Sequence, residues 1–252
     1  EWTARAHTRF TTGAGFGKAG KEDSGTWTML KKMPEQWLIN YNGPSSFKLR
    51  LGLTSFKHVG VFPEQAPNWD YISAQVKRLK GEMESTPKVL NLFAYTGAAS
   101  LAAKCAGADV THLDSVRQVV TWARGNMEFS KLDNIRWVVE DALKFVKREA
   151  KRGNTYNGLI LDPPAYGHGP NGEKWKLEDH IQEMMQDVVQ LLDPEEHFLI
   201  LNTYSLGFSS VIVENLIKTS FPQVKNLETG ELYLQATSGI KLPLGVFGKF
   251  NS

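Results

Sequence analysis

"GLILDPPAYGHGP", residues 158–170, starts as an apolar strand and runs into an acid, two prolines, an aromatic residue and glycines. Over so short an apolar run as Leu159–Leu161, a buried strand and a buried helix fragment look alike. Pro163 and Pro164 separate the two readings. Neither donates to a ladder or continues a helix, so the regular element stops at Asp162. Asp162 is thereby placed at the C-terminal tip of a strand. In open parallel α/β sheets, ligands bind along that edge, so what surrounds this strand in the chain decides the fold.

Upstream, the apolar run "KVLNLF" (88–93) has the composition of a strand buried on both faces. An amphipathic segment carrying Ile72, Val76, Leu79 and Met83 precedes it, with Asn68 or Asp70 as the expected N-cap. A helix with apolar Ala98, Leu101, Ala102, Cys105 and Ala106 follows and leads to "DVTHLD" (109–114). A second helix, with Val116, Val119, Val120, Ala123 and Met127 on one face, leads to "IRWVV" (135–139), and a short helix from about Ala142 leads to the opening strand. Beyond it the pattern predicts a helix carrying Leu177, Ile181, Met184, Met185, Val188 and Leu192, the strand "FLILNTY" (198–204), a helix around Val213, Leu216 and Ile217, and a β-rich tail from about Val224. Strands spaced by helices mean βαβ crossovers and a mainly parallel sheet. The first sixty residues differ: "TWTMLK", "QWLINYN" and "FKLRLGL" read as strands separated by Pro34 and "NGPSS". We expect a β-rich N-terminal region at 1–60, on the substrate side, and an α/β domain at 61–252.

Bulk properties narrow the class. The chain has 252 residues, enough for a substantial core, with 41% hydrophobic and 22% charged residues. A net charge of +2 permits a nucleic-acid partner without arguing for one. A single cysteine excludes an internal disulfide framework and fits a reducing cytosol. No apolar run has the length of a membrane span, and "EWTARAHTRF" has no secretory pattern. Residue 1 is Glu, which leads us to expect upstream sequence.

The strand tips define a candidate site. The first ends in "FAYTGAAS" (93–100), where Gly97 precedes a helix whose bare N-terminal amides face the ligand space. The second ends in Asp114, an acid where nucleotide-binding sheets hold ribose hydroxyls. The third reaches "VEDAL", with Asp141 placed to bind a donor or to cap the next helix, and the fourth ends in Asp162. A dinucleotide fingerprint needs G-x-G-x-x-G. Here the loop is A-Y-T-G-A-A, with Gly97 alone and Tyr95 where a glycine is wanted. Such a loop suits a ligand with ribose and amino-acid parts but no phosphates, a description that fits S-adenosylmethionine and fits NAD poorly.

"LNLFAYTGAASLAA", "HLDSV", "VEDAL" and "LILDPPAYGHGP", in this order, resemble the class I S-adenosylmethionine-dependent methyltransferases, in particular the bacterial 23S ribosomal RNA methyltransferase group with D-P-P-x-F/Y at the fourth strand. "VGVFPEQAPNWDYI" (59–72) resembles that group's segment before the first strand. The resemblance implies a Rossmann-like, mostly parallel, seven-stranded sheet, S-adenosyl-L-methionine as cofactor and RNA, most often rRNA, as substrate. It implies that the loop holding Asn91, Phe93, Tyr95, Thr96 and Gly97 embraces the methionine part, and that Asp114 and Ser115 meet the ribose. Asp141 and Ala142 would meet the adenine, Gln65 and Trp69 would cover the cofactor, and Asp162 with Pro163 would border both cofactor and target. Tyr166 would offer a stacking face to an unpaired base.

Methyl transfer from a sulfonium is an in-line displacement that requires no metal, so positioning and charge stabilisation dominate. An exocyclic base amine is a poor nucleophile; hydrogen bonds to the Asp162 carboxylate would localise its lone pair. The spacing Pro163-Pro164-Ala165-Tyr166 leaves the target atom open, but pyrimidine C5 needs a covalent thiolate. "LNTYSLGFSS" (201–210) lacks the cysteine that C5-methylating relatives place there, and Cys105 reads as core. Nitrogen, or else oxygen, is the expected acceptor atom. "GFGKAGKE" (15–22) departs from a phosphate-binding loop at Glu22 and reads as a solvated or substrate-covering connection. His168 sits in the site loop as a substrate contact or a turn residue, and the histidines have no metal-ligand spacing. The rivals are the same chemistry on a small molecule or protein, a nicotinamide-dependent oxidoreductase, and a non-catalytic RNA-binding protein. The sequence carries no signal for oligomeric state.

Overall fold

A computed structural model describes residues 2–13, 25–54, 58–204, 207 and 209–252. The stretch at 15–22, and Ser205 after the fifth parallel strand, lie outside the described residues. A single helical turn, α1 (Trp2–Arg5), precedes two antiparallel hairpins, β1 (Thr8–Thr12) with β2 (Gly25–Met29) and β3 (Gln36–Asn42) with β4 (Ser46–Gly52). Helix α2 (Ala66–Glu82) leads into the alternating part. This runs β5 (Lys88–Leu92), α3 (Ala98–Ala106), β6 (Asp109–Asp114), α4 (Arg117–Phe129), β7 (Ile135–Val139), α5 (Ala142–Lys151) and β8 (Gly158–Leu161). A small hairpin of β9 (Tyr166–His168) and β10 (Lys174–Lys176) follows, then α6 (Leu177–Val189), β11 (Phe198–Thr203), α7 (Ser210–Ser220), β12 (Glu228–Gln235) and β13 (Lys241–Asn251).

The seven-stranded sheet has the order β12-β13-β11-β8-β5-β6-β7. Strands β5, β6, β7, β8 and β11 are parallel, while β13 runs antiparallel to both neighbours. The order turns back between β5 and β8, which makes their C-terminal tips the switch point where α/β sheets open a crevice. Side-chain alternation explains why the central strands are apolar throughout. Val89, Ile160, Phe198 and Ile200 point into one core with α2 and α3, whereas Leu90, Leu92, Leu159, Leu161, Leu199 and Leu201 point into another with α5, α6 and α7. Gly158 is required by this packing. A Cβ there would meet the Phe198 ring at 2.4 and 2.6 Å and Val89 Cγ2 at 3.0 Å. Gly158→Ala is therefore expected to cost about 1–3 kcal/mol of stability, read as a lower denaturation midpoint with native-like circular dichroism.

The N-terminal strands take part in this packing. Phe47, Leu49 and Leu51 of β4 alternate into the same core as Trp69, Ile72 and Leu101. The outer edge of β4 is met by side chains of the α4 segment: Lys48 N donates to Ser130 Oγ (2.9 Å) and Arg50 N to Asn126 Oδ1 (2.8 Å). Those bonds satisfy an otherwise open edge.

Three local expectations are corrected. Helix α2 begins at Ala66, before both expected caps, because Pro67 in its first turn needs no amide partner. Asn68 and Asp70 then lie inside the helix with tertiary partners: Asn68 in the site described below, and Asp70 accepting from the Tyr41 hydroxyl (2.5 Å). Val116 is the extended residue before α4 and is exposed, so the apolar stripe starts later than its spacing suggested. Cys105 is only half-buried, at the seam where its thiol donates to Ser46 O (3.4 Å).

Candidate active site

The loop after β5 has an unusual backbone. Phe93 (φ 56°) and Tyr95 (φ 49°) both lie in the left-handed region, as does Gly97 (φ 90°), which caps α3. Non-glycine residues in that region cost on the order of 1–3 kcal/mol each and persist only where surroundings enforce them. Enforcement comes from Asp114 at the tip of β6. Its Oδ2 accepts from Tyr95 N (3.0 Å) and its Oδ1 from Val116 N (2.9 Å), while Ala94 N donates to Leu113 O (3.0 Å). Burial pushes the Asp114 carboxyl above its ordinary range, and the backbone amides of Val116, Tyr95 and Ser115 oppose that shift. The Thr96 hydroxyl donates to Gly60 O (2.8 Å). Asn91 donates to Ser100 Oγ (2.9 Å), itself 3.0 Å from Nδ1 of the fully buried His112. Desolvation lowers the His112 pKa to about 3, so the ring is neutral.

Two hollows share Phe93 as a wall. The larger encloses about 490 Å³ of space open to solvent, and its walls include Gln65, Trp69, Asn91, Phe93, Tyr95, Thr96, Gly97 and Asp162. The smaller, about 310 Å³, is bounded by Phe93, Ser115, Asp141, Ala142, Pro164 and the β9–β10 hairpin. Of the residues expected around a cofactor, Asp114 and Pro163 line neither hollow. Asp114 acts beneath the loop, on the backbone of Tyr95. Asp141 caps α5 through its Oδ1 (2.9 Å from Lys144 N), so the cap reading and the wall reading hold together.

Asp162 stands at the β8 tip facing the larger hollow. Its Oδ1 is out of contact with solvent and has no partner among the described residues, although the residue as a whole is partly exposed. Its Oδ2 accepts from Gln65 Nε2 (3.3 Å). Burial, with a further push from Glu64, raises its pKa to about 7. Gln65, expected as a cofactor cover, is also the residue that orients this carboxylate. Its Oε1 accepts from Asn68 Nδ2 (2.8 Å) and Asn202 Nδ2 (3.3 Å), which aims its amide N–H groups at Asp162 and at the Tyr204 hydroxyl (2.6 Å). Asn68 Nδ2 also donates to Asn202 Oδ1 (3.0 Å). Behind them Glu64 is buried and raised in pKa by desolvation, and the Tyr204 hydroxyl is raised by the same cause. Pro163 is buried, whereas Tyr166 is 63% exposed and lines neither hollow. Asn68, Asn202, Tyr204 and Glu64 are the site members that sequence reasoning did not select. A polar Asn202 inside the apolar run "FLILNTY" was the signal available.

The fold and the cleft at its switch point define the class: a Rossmann-like methyltransferase sheet. Residues 73–201 match the family described as "Conserved hypothetical protein 95". A crystal structure of an S-adenosylmethionine-dependent methyltransferase from Agrobacterium tumefaciens is 34% identical with a TM-score of 0.87, the alignment covering 98% of this chain and 78% of that one. The chain belongs to this family of S-adenosylmethionine-dependent methyltransferases. The protein SMU.776, described as a methyltransferase and solved with S-adenosylhomocysteine, shares the fold at 24% identity and a TM-score of 0.67, over 87% of this chain and 57% of that one. The ribosomal RNA large subunit methyltransferase K/L of Shewanella frigidimarina is 28% identical over 159 residues, 62% of this chain and 21% of its own length. A homologue of the same name from Shewanella sp. (strain MR-4) is 26% identical over 219 residues, 81% of this chain and 29% of its own. The chain thus spans about a fifth to a third of the curated relatives it matches. Among the described residues no helix is long and apolar enough to cross a membrane.

Proposed function

We propose that this chain transfers a methyl group to a base nitrogen of RNA, with ribosomal RNA as the substrate class and the cytosol as its place of work. The observation that carries the reading is Asp162: a strand-tip carboxylate at the switch point, one oxygen oriented by Gln65 and the other buried without a partner. An unpartnered buried carboxylate oxygen is costly unless a ligand donor completes it. An exocyclic amine has the N–H groups to do so.

The two hollows fit the cofactor. Ala98 and Ala99 at the α3 N-terminus, with Asn91, Tyr95 and Gly97, line the larger one, which suits the amino-acid part. Asp114, beneath the loop, and Ser115, on the wall of the smaller hollow, would meet the ribose. Asp141 and Ala142, with Phe93 opposite, wall the smaller one for the adenine ring. When bound, S-adenosylmethionine supplies an electrophilic methyl carbon. The chain supplies alignment: Asp162 accepts an amine N–H, localises the nitrogen lone pair and stabilises the positive charge that develops on that nitrogen. Trp69 and Gln65 close the larger hollow from the α2 side, and Pro163 fixes the backbone beside the acceptor. Tyr166, exposed just beyond Pro164, stacks on a base next to the target.

Similarity to the ribosomal RNA large subunit methyltransferases K/L supports an rRNA substrate for this chain. The test is to compare modified nucleosides in rRNA from a deletion strain and its parent, and to assay the purified chain on RNA from the deletion strain. An N-methylated nucleoside lost in the deletion strain and restored in vitro is expected. A C5-methylpyrimidine product would overturn the assignment of the acceptor atom.

A further inference from the structure

The β9–β10 hairpin has two dissimilar faces. Its register pairs Tyr166 with Lys176, Gly167 with Trp175 and His168 with Lys174. Alternation therefore puts Gly167 and Trp175 on one side and Tyr166, His168, Lys174 and Lys176 on the other. The first side is anchored. Trp175 is buried, donates to Pro164 O (2.7 Å) and packs its ring 5.0 Å from Phe93, while Leu177 N donates to Ala165 O (2.9 Å). The hairpin turn is held as well, with Lys144 Nζ 2.6 Å from Glu173 Oε1 and Asn171 N donating to Glu173 Oε2 (2.9 Å). Such a hairpin holds its outward side chains fixed relative to Asp162.

The second side has little structural work. The Tyr166 ring is 63% exposed, although folding would be better served by a small polar residue there. His168 and Lys174 are exposed, and Lys174 forms no ion pair among the described residues. Lys176 is held by Glu178 (3.1 Å) and Asp179 (3.2 Å), which leaves Lys174 as the available cation of the strip. Flat rings on an exposed sheet face, with a cation beside them, are the chemistry that takes unstacked bases and the phosphate linking them. A duplex would bury its bases from these rings.

We infer that the outward face of the β9–β10 hairpin, centred on Tyr166 and Lys174, is a docking strip for a single-stranded RNA segment flanking the target nucleotide. The inference rests on the RNA reading above and adds where the strand runs. Because Gly167, His168, Gly169 and Trp175 of the same hairpin wall the smaller hollow, with His168 at its rim and Tyr166 and Lys174 outside it, the strip is built onto the cofactor side of the cleft.

The experiment measures binding of a fluorescent single-stranded RNA oligomer to the full chain, saturated with S-adenosylhomocysteine, as a function of salt. Lys174→Glu is expected to weaken RNA binding about tenfold or more and to lower the slope of log affinity against log salt by about one. Tyr166→Ala is expected to weaken it by about tenfold, with Tyr166→Phe restoring binding to within about twofold. Lys225→Glu, an exposed position between α7 and the edge strand β12, should leave it within about twofold. S-adenosylhomocysteine affinity, read by calorimetry, should stay within about twofold for all four, showing that the variants are folded. If Lys174→Glu and Tyr166→Ala bind RNA as the parent does while the parent methylates RNA, the strip is wrong and the RNA reading stands. If the parent neither binds nor methylates RNA, the RNA reading itself fails.

Discussion

Asp162→Asn is expected to lower kcat for methyl transfer by roughly 10²–10⁴-fold while leaving cofactor affinity within a few-fold. The asparagine keeps the size and one acceptor oxygen but carries no charge to stabilise a nitrogen turning positive. It also presents an N–H pair where the acceptor amine needs an acceptor. The parent should show kcat/KM rising with pH to a plateau above about 7, because only the ionised carboxylate does this work and its pKa stands near 7. Stability should move the other way. An acid whose folded pKa lies above its unfolded value contributes stability at low pH and loses it as pH rises through the folded pKa. For Asp162 the window runs from 3.8 to about 7. Thermal melts should therefore show Asp162→Asn gaining on the parent across that window and holding its gain above it, by roughly 2–6 °C at pH 8. Equal melting curves at pH 5 and pH 8 would show that the carboxylate is not destabilised in the fold. An unchanged kcat would remove Asp162 from the chemistry.

Asp114→Ala is the second large effect. The carboxylate accepts from Tyr95 N and Val116 N at 3.0 and 2.9 Å, and so fastens the left-handed turn at Phe93–Tyr95 to the β6 tip. Each hydrogen bond to a charged group contributes about 1.5–3 kcal/mol. Removal should lower cofactor affinity by roughly 10- to 100-fold by calorimetry and reduce global stability by about 1–3 kcal/mol. Asp114→Asn keeps one acceptor and should recover part of both. If the alanine variant loses stability but binds cofactor normally, Asp114 is a loop clamp alone and the ribose assignment falls.

Much of the frame was readable residue by residue. Pro163 and Pro164 stop β8 at Asp162, Gly97 permits the turn into α3, and apolar runs such as "KVLNLF" mark strands covered on both sides. These are local effects of backbone geometry and side-chain hydrophobicity, written in the order of the chain. The β9–β10 hairpin was not readable, because three-residue strands are too short to express a period of two. The early start of α2 was also hidden, since Asn68 and Asp70 are good caps by propensity and only their tertiary partners place them inside the helix.

What the sequence by itself determined is the order of elements, the parallel sheet and the set of acidic strand tips. Neighbouring residues fix those, through proline and glycine constraints and the alternation of burial. What only the tertiary structure decided is how the tips are armed. Asn202 and Asn68 hold the Gln65 amide from opposite parts of the chain, Gln65 aims Asp162, burial and then Glu64 raise its pKa, and Phe47, Leu49 and Leu51 bring the N-terminal hairpin into the core. A hydrogen bond between residues more than a hundred positions apart leaves no trace in local pattern, because an asparagine on the surface and one locked in a site have the same composition and the same propensity. Distance and burial distinguish them, and both exist only once the chain has folded.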